Sequence, residues 1–226
     1  MKASLILILF SIQVVFCQEL SFKAPDYKEI KNNIENKSSE YYYPKLLERF
    51  TQNDTLLSRE AYRHLYYGYV FNPKYSSYFR SPDEEKLSKY YRSNTIDPKD
   101  YDEIIKLSEH TLSLFPFDLR MINFLSYIYH LKGEKATSKL WSDKYNNIIE
   151  TIMSTGDGKT CETGFHVISV SHEYALINTF QLEVASQSLI KNCDYLAFEK
   201  GKYKIDGIYF SIGKILEDES KMFGGK

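Results

Sequence analysis

The residues whose types could do chemistry gather in the last third of the chain. His166, His172 and Glu173, with Asp194 further on, are the kinds that bind a transition metal or trade protons at a hydrolytic centre. The six-residue step between the two histidines matches no metal-ligand spacing on a strand or turn, so a structural role is the favoured reading. Cys161 lies five positions before His166, but closeness in sequence is weak evidence for a thiol–imidazole pair. The stretch GDGKT, residues 156–160, ends like a phosphate-binding loop. The full pattern needs a glycine at position 153, where Met153 stands, and a strand before it, where a helix is expected. Neither Gly-x-Ser-x-Gly nor His-Glu-x-x-His occurs. No catalytic residue, metal or cofactor is assigned. A hydrolase or metal-dependent enzyme using His166, His172 and Glu173 stands as the alternative reading.

A second chemistry is aromatic recognition. The stretch AYRHLYYGYVFNPKYSSY, residues 61–78, holds six tyrosines. Tyr62, Leu65, Tyr66 and Tyr69 recur at three- and four-residue steps and form one helical stripe, which reads as core. Arg63, His64 and Tyr67 point elsewhere. Tyr67, with Tyr75, Tyr78 and Phe79 in the loop begun by Asn72-Pro73, is the candidate binding surface, because loop aromatics are the ones left for contact. On that reading Tyr67 and Tyr75 are exposed, and truncating Tyr75 costs less than about 1 kcal/mol.

The elements that must position these residues change character near residue 155. Before it, helices dominate: one over 26–36, one started by Pro44, one capped by Ser58, and one opened by Ser81-Pro82. Another runs from Asp97 to Pro116, then 118–131, then 134 to about 153 after Gly133. Residues 98–150 resemble a stretch of tetratricopeptide repeat, with Leu125, Ser126 and Tyr129 at suitable places, although Ile104 stands where a small residue is expected. Barely one and a half repeats fit, fewer than an array needs. After the glycine-rich break STGDGKTCETG, the runs FHVISV and DGIYFSI read as strands and residues 213–223 as a closing helix. The expected class is α+β: a helical region over 18–154, and a region over 155–226 that carries the strands and packs on it.

At the start, MKASLILILFSIQVVFCQEL has a positive residue, an apolar run from Leu5 to Phe16 and a polar continuation. That is a signal peptide over residues 1–17, too short an apolar run to span a bilayer. Cleavage after Cys17 is favoured over lipidation of Cys17, because bulky Phe16 precedes it. The expected location is periplasmic or secreted, with no membrane span. Beyond the leader stand two cysteines, Cys161 and Cys193; an oxidising compartment permits a disulfide between them, and two separate thiols are the other option. Closing that loop would add about 3–4 kcal/mol. With 29 basic and 30 acidic residues interspersed, there is no electrostatic footprint for nucleic acid.

The segments YYYPKLLERFTQND, SREAYRHLYYGYVFNPKYSSY, VISVSHEYALI and DGIYFSIGKIL together resemble the family called domain of unknown function 4919, exported proteins mostly of Bacteroidetes-type bacteria. The resemblance runs from about Tyr41 to Phe223 and implies export, while carrying no activity that any residue could inherit. The favoured function is a non-enzymatic binding or interaction module of the bacterial cell envelope, its partner another envelope protein or a glycan. A structural subunit of a larger envelope assembly is a further possibility.

Overall fold

The computed structural model describes residues 22–93 and 95–223, so the leader and Cys17 lie outside the described residues. Seven α-helices precede residue 155 among them: α1 (Tyr27–Glu35), α2 (Tyr43–Thr51), α3 (Arg59–Gly68), α4 (Glu84–Tyr91), α5 (Tyr101–Leu114), α6 (Leu119–Leu131) and α7 (Lys135–Met153). Their starts follow local chemistry. Asp26 accepts from the Lys28 and Glu29 amides, Ser58 from Ala61 and Asp118 from Met121, each a side-chain oxygen satisfying an amide that the helix leaves free. Pro44 sits in the first turn of α2, where its missing N–H costs nothing.

The helix α4 starts later than the Ser81-Pro82 signal indicates. The Ser81 hydroxyl is 2.6 Å from that of Thr111 on α5 and accepts from the Asp83 amide, so Pro82 and Asp83 form a turn and the helix begins at Glu84.

The later part holds β1 (Phe165–His166), α8 (Val170–Thr179), β2 (Val184–Ile190), β3 (Cys193–Phe198), β4 (Gly207–Ser211) and α9 (Gly213–Phe223). The strands form one sheet in the order β1-β4-β3-β2, with β1 parallel to β4 and the other pairs antiparallel. The class is α+β. FHVISV contributes only two residues to the sheet before the chain turns into α8, which corrects its reading as a full strand. The stretch between the two runs read as strands, to which no element was assigned from sequence, forms α8 and the β2–β3 hairpin.

The core centres on α3, whose residues Ala61–Gly68 are all buried. The stripe Tyr62, Leu65, Tyr66 and Tyr69 is core as expected. Tyr67 is fully buried, which corrects its place on an exposed surface. The reason is tertiary. Helix α1 covers that face, Tyr27 meeting the Tyr67 ring edge-on at 6.0 Å. Gly68 lets Ile34 and Tyr43 close in, since a Cβ there would stand 3.1 Å from Ile34. A helix buried on every side needs partners for its polar residues. The Arg63 guanidinium donates to the carbonyls of Lys23 and Ala24, and the His64 ring lies 2.9 Å from the Asn33 amide and 2.8 Å from the Glu60 carbonyl.

Candidate functional site

Four tyrosines of the stretch 61–78, Tyr66, Tyr67, Tyr75 and Tyr78, bond to the second half of the chain. The Tyr66 hydroxyl is 2.7 Å from His172 Nδ1 and also accepts from the Ile168 amide. Tyr67 donates to the His166 carbonyl at 3.0 Å and Tyr75 to the Ile168 carbonyl at 2.8 Å. Phenol groups thus supply hydrogen bonds that a neighbouring strand would otherwise give to residues 166–168. Ser169 adds a bond from its hydroxyl to the Ser77 carbonyl, and Ser77 donates through its amide and hydroxyl to Asp218 on α9. Tyr75 is accordingly half-buried. Only Tyr78 is well exposed, 50 %, its hydroxyl donating to Glu219, while Phe79 is half-buried. The four aromatics do not make one patch.

The polar candidates are likewise drawn inside. Both ring nitrogens of His172 are engaged, Nδ1 by Tyr66 and Nε2 by the Phe117 carbonyl at 2.8 Å, and burial holds the ring down to about 4, neutral at physiological pH. Burial, helped by the Arg63 charge, does the same to His166. Glu173 is fully buried, neither carboxyl oxygen meets a donor, and burial together with the Asp194 charge pushes it up to about 9. Asp194 accepts from the Gln187 side chain at 2.8 Å. Among the described residues no three His, Cys, Asp or Glu side chains stand where they could share a metal ion.

The look-alike phosphate loop is closed on itself. The amides of Asp157 and Gly158 both donate to the Thr163 carbonyl, and the Asp157 carboxylate takes the Thr163 hydroxyl and the Lys159 amide. Those bonds, the Thr163 hydroxyl foremost, hold Asp157 down to about 2. The loop's own carboxylate stands where an anion would. Cys161, in this loop, is joined by a disulfide to Cys193 at the head of β3, with Cα atoms 5.7 Å apart.

An aromatic groove of about 450 Å³ opens instead between α6, α8 and the turn before α6. Phe79 forms part of its wall, tilted against Phe115 with ring centres 5.2 Å apart. Tyr91, Phe124, Tyr127, Tyr145 and Tyr174 supply further ring surface, Tyr127 being 47 % and Tyr174 39 % exposed. Several rings are fixed by their polar ends: Tyr174 donates to Gln187 at 2.8 Å, and the Tyr145 hydroxyl lies 2.8 Å from that of Thr179. Arg120 stacks 4.6 Å over the Tyr91 ring and is bonded to Glu84 through both terminal nitrogens. Its charge is therefore already matched. The amides of Asn123 and Asn178 are exposed at the groove and take no side-chain partner among the described residues. Asp118 also lines the groove, its carboxyl pushed up by burial. The arrangement offers apolar faces with neutral donors and acceptors beside them, the requirements of a polar ring.

Of the sequence candidates, only Phe79 reaches this groove. Tyr127 stands off the apolar stripe of α6, and Tyr174 lies between the two runs read as strands, where no element was assigned; an aromatic on the polar side of a helix was the signal that could have found Tyr127.

No curated protein and no solved structure matches the chain. One family model does, over residues 28–221, nearly the whole described length, and on that extent the chain belongs to the family described as Domain of unknown function (DUF4919).

Proposed function

We propose that the protein is an exported, non-enzymatic binding module of the bacterial cell envelope, and that its aromatic groove takes a neutral glycan. The single observation behind the ligand class is the pairing of half-exposed Tyr127 and Tyr174 with the unpartnered amides of Asn123 and Asn178 around one groove. A sugar ring has apolar C–H faces that lie against aromatic planes and an equator of hydroxyls that amides satisfy. An anionic ligand is less well suited, because the groove's one arginine is held by Glu84. Export is supported by the leader-like residues 1–17.

Saturation-transfer NMR of the folded protein with neutral oligosaccharides prepared from bacterial envelope tests the reading. Transfer to ring protons is expected, and Tyr127→Ala with Tyr174→Ala should weaken binding at least tenfold, on the order of 1.4 kcal/mol or more, without lowering the melting temperature. Transfer unaffected by either variant, or absent for all neutral glycans tried, would sink the proposal.

A further inference from the structure

A second cleft, independent of the aromatic groove, surrounds a lysine. Lys144 lies midway along α7 and is 5 % exposed, its ammonium 4.3 Å from the centre of the Phe50 ring and 4.5 Å from that of Trp141. No carboxylate pairs with it among the described residues, and it borders a cleft of about 260 Å³ between α7 and the turn joining α2 to α3. Asn53, in that turn at φ 57°, lines the same cleft with a buried side-chain oxygen that meets no donor. A buried amine without a counter-ion and a buried acceptor without a donor each carry a cost of their own. Their meeting in one small cavity is what a ligand would complete.

The surroundings narrow the ligand's chemistry. Facing the cleft are Asp54 from the turn, Tyr62 from α3, and Asp143 and Glu150 from α7. The three carboxylates are already paired, with Arg49 at 2.6 Å, Lys139 at 2.5 Å and Arg59 at 3.7 Å respectively. The carboxylates line the cleft whereas Arg49, Lys139 and Arg59 do not, so the rim disfavours an approaching anion. Burial lowers Lys144 to about 8, so a useful fraction of the amine is unprotonated near neutral pH.

We infer that Lys144 is a reactive-amine site that captures a small neutral aldehyde or ketone, with the Asn53 side-chain oxygen accepting a hydrogen bond from the hydroxyl of the carbinolamine formed on capture. The nitrogen lone pair attacks the carbonyl carbon, forming the C–N bond as the carbon–oxygen π pair moves to oxygen. The nitrogen passes both of its protons to that oxygen, and the C–O bond breaks to release water as the nitrogen lone pair forms the second carbon–nitrogen bond, so that one amine and one carbonyl become one imine and one water. No oxidant or reductant takes part.

The test is reductive trapping on the folded, full-length mature protein. Propanal, neutral, and glyoxylate, anionic and of similar size, are each added with cyanoborohydride, and every lysine is followed by peptide mass spectrometry. With propanal at pH 7, Lys144 should be alkylated at least about tenfold faster than the median lysine, its unprotonated fraction being far above that of an ordinary lysine near 10.4. The preference should vanish in urea, and glyoxylate should label Lys144 more slowly than propanal. Asn53→Gly, which removes the acceptor and suits a φ of 57° without strain, should slow trapping at Lys144 several-fold while the melting temperature holds. Labelling of Lys144 no faster than surface lysines overturns the inference, and faster labelling by glyoxylate overturns the neutral ligand class.

Discussion

Glu173 is a carboxyl that the fold keeps protonated at neutral pH. It is fully buried in the first turn of α8, without a hydrogen-bond donor and beside Asp194. In the unfolded chain it releases its proton near 4.5, whereas the fold holds that proton to about 9. Between those values the folded protein carries one proton more than the unfolded chain, so Glu173 makes stability fall as pH rises from about 4.5 to about 9, with no further effect above. Glu173→Gln keeps the shape and does not titrate. At pH 8 the variant should be more stable than the parent by up to about 5 kcal/mol, each pH unit above 4.5 being worth about 1.4 kcal/mol. At pH 5 the two should nearly coincide. Urea denaturation at the two pH values measures this, and equal differences at both would mean that Glu173 ionises in the fold. The sequence marked Glu173 as a residue to watch, yet its burial was not legible. It depends on Asp194 and the sheet closing over α8, which no local pattern encodes.

Among the elements, α3 and the loop after it act as one clamp on residues 166–169. The expected cost of each tyrosine follows from what it holds. Tyr66→Ala removes a fully buried ring and leaves His172 Nδ1 unpartnered, so a loss of about 3–5 kcal/mol is expected. Tyr66→Phe keeps the ring and should lose only about 1–3 kcal/mol, the cost of a buried polar atom left alone. Tyr75→Ala should cost about 2–3 kcal/mol, more than its loop position suggests, because its hydroxyl holds the Ile168 carbonyl and its ring meets Tyr69 edge-on at 5.9 Å. Equilibrium unfolding of the three variants gives the order; a Tyr75 variant indistinguishable from the parent would return that residue to the surface. The stripe of Tyr62, Tyr66 and Tyr69 was legible from its spacing. Tyr67 was not, because α1 folds over the far side of α3. FHVISV misled for a related reason: Val167 and Ile168 are buried, but the backbone of 166–168 is held by the hydroxyls of Tyr67 and Tyr75 as well as by a strand, and Val170 already begins α8.

For the whole molecule, the α+β order and most helix bounds could be read from caps, prolines and apolar spacing, since these are local. The groove could not, because Phe79, Tyr127 and Tyr174 come from three separate stretches. The proposal of export makes its own prediction at this scale. Intact-mass and N-terminal analysis of protein from its native source should find a chain that begins at Gln18, with or without the water loss that cyclises glutamine. A lipid-modified Cys17 would place the protein on a membrane instead, and an uncleaved Met1 would remove the leader reading altogether.

The hydroxyls of Tyr66, Tyr67 and Tyr75 find their partners about a hundred residues later in the chain. That separation orders events in time. While the first helices alone are available, α3 can hide its rings only by stranding those phenols from water without acceptors. The early helices therefore have little reason to lock until residues 166–169 arrive. Contacts so far apart in sequence slow folding, because the intervening chain must be closed into a loop before they form. The docking of the later segment onto α3 is therefore expected to be the slow step of refolding, with the N-terminal helices only loosely assembled before it. Export, as proposed above, calls for a chain that stays threadable, and three phenol groups would supply that property.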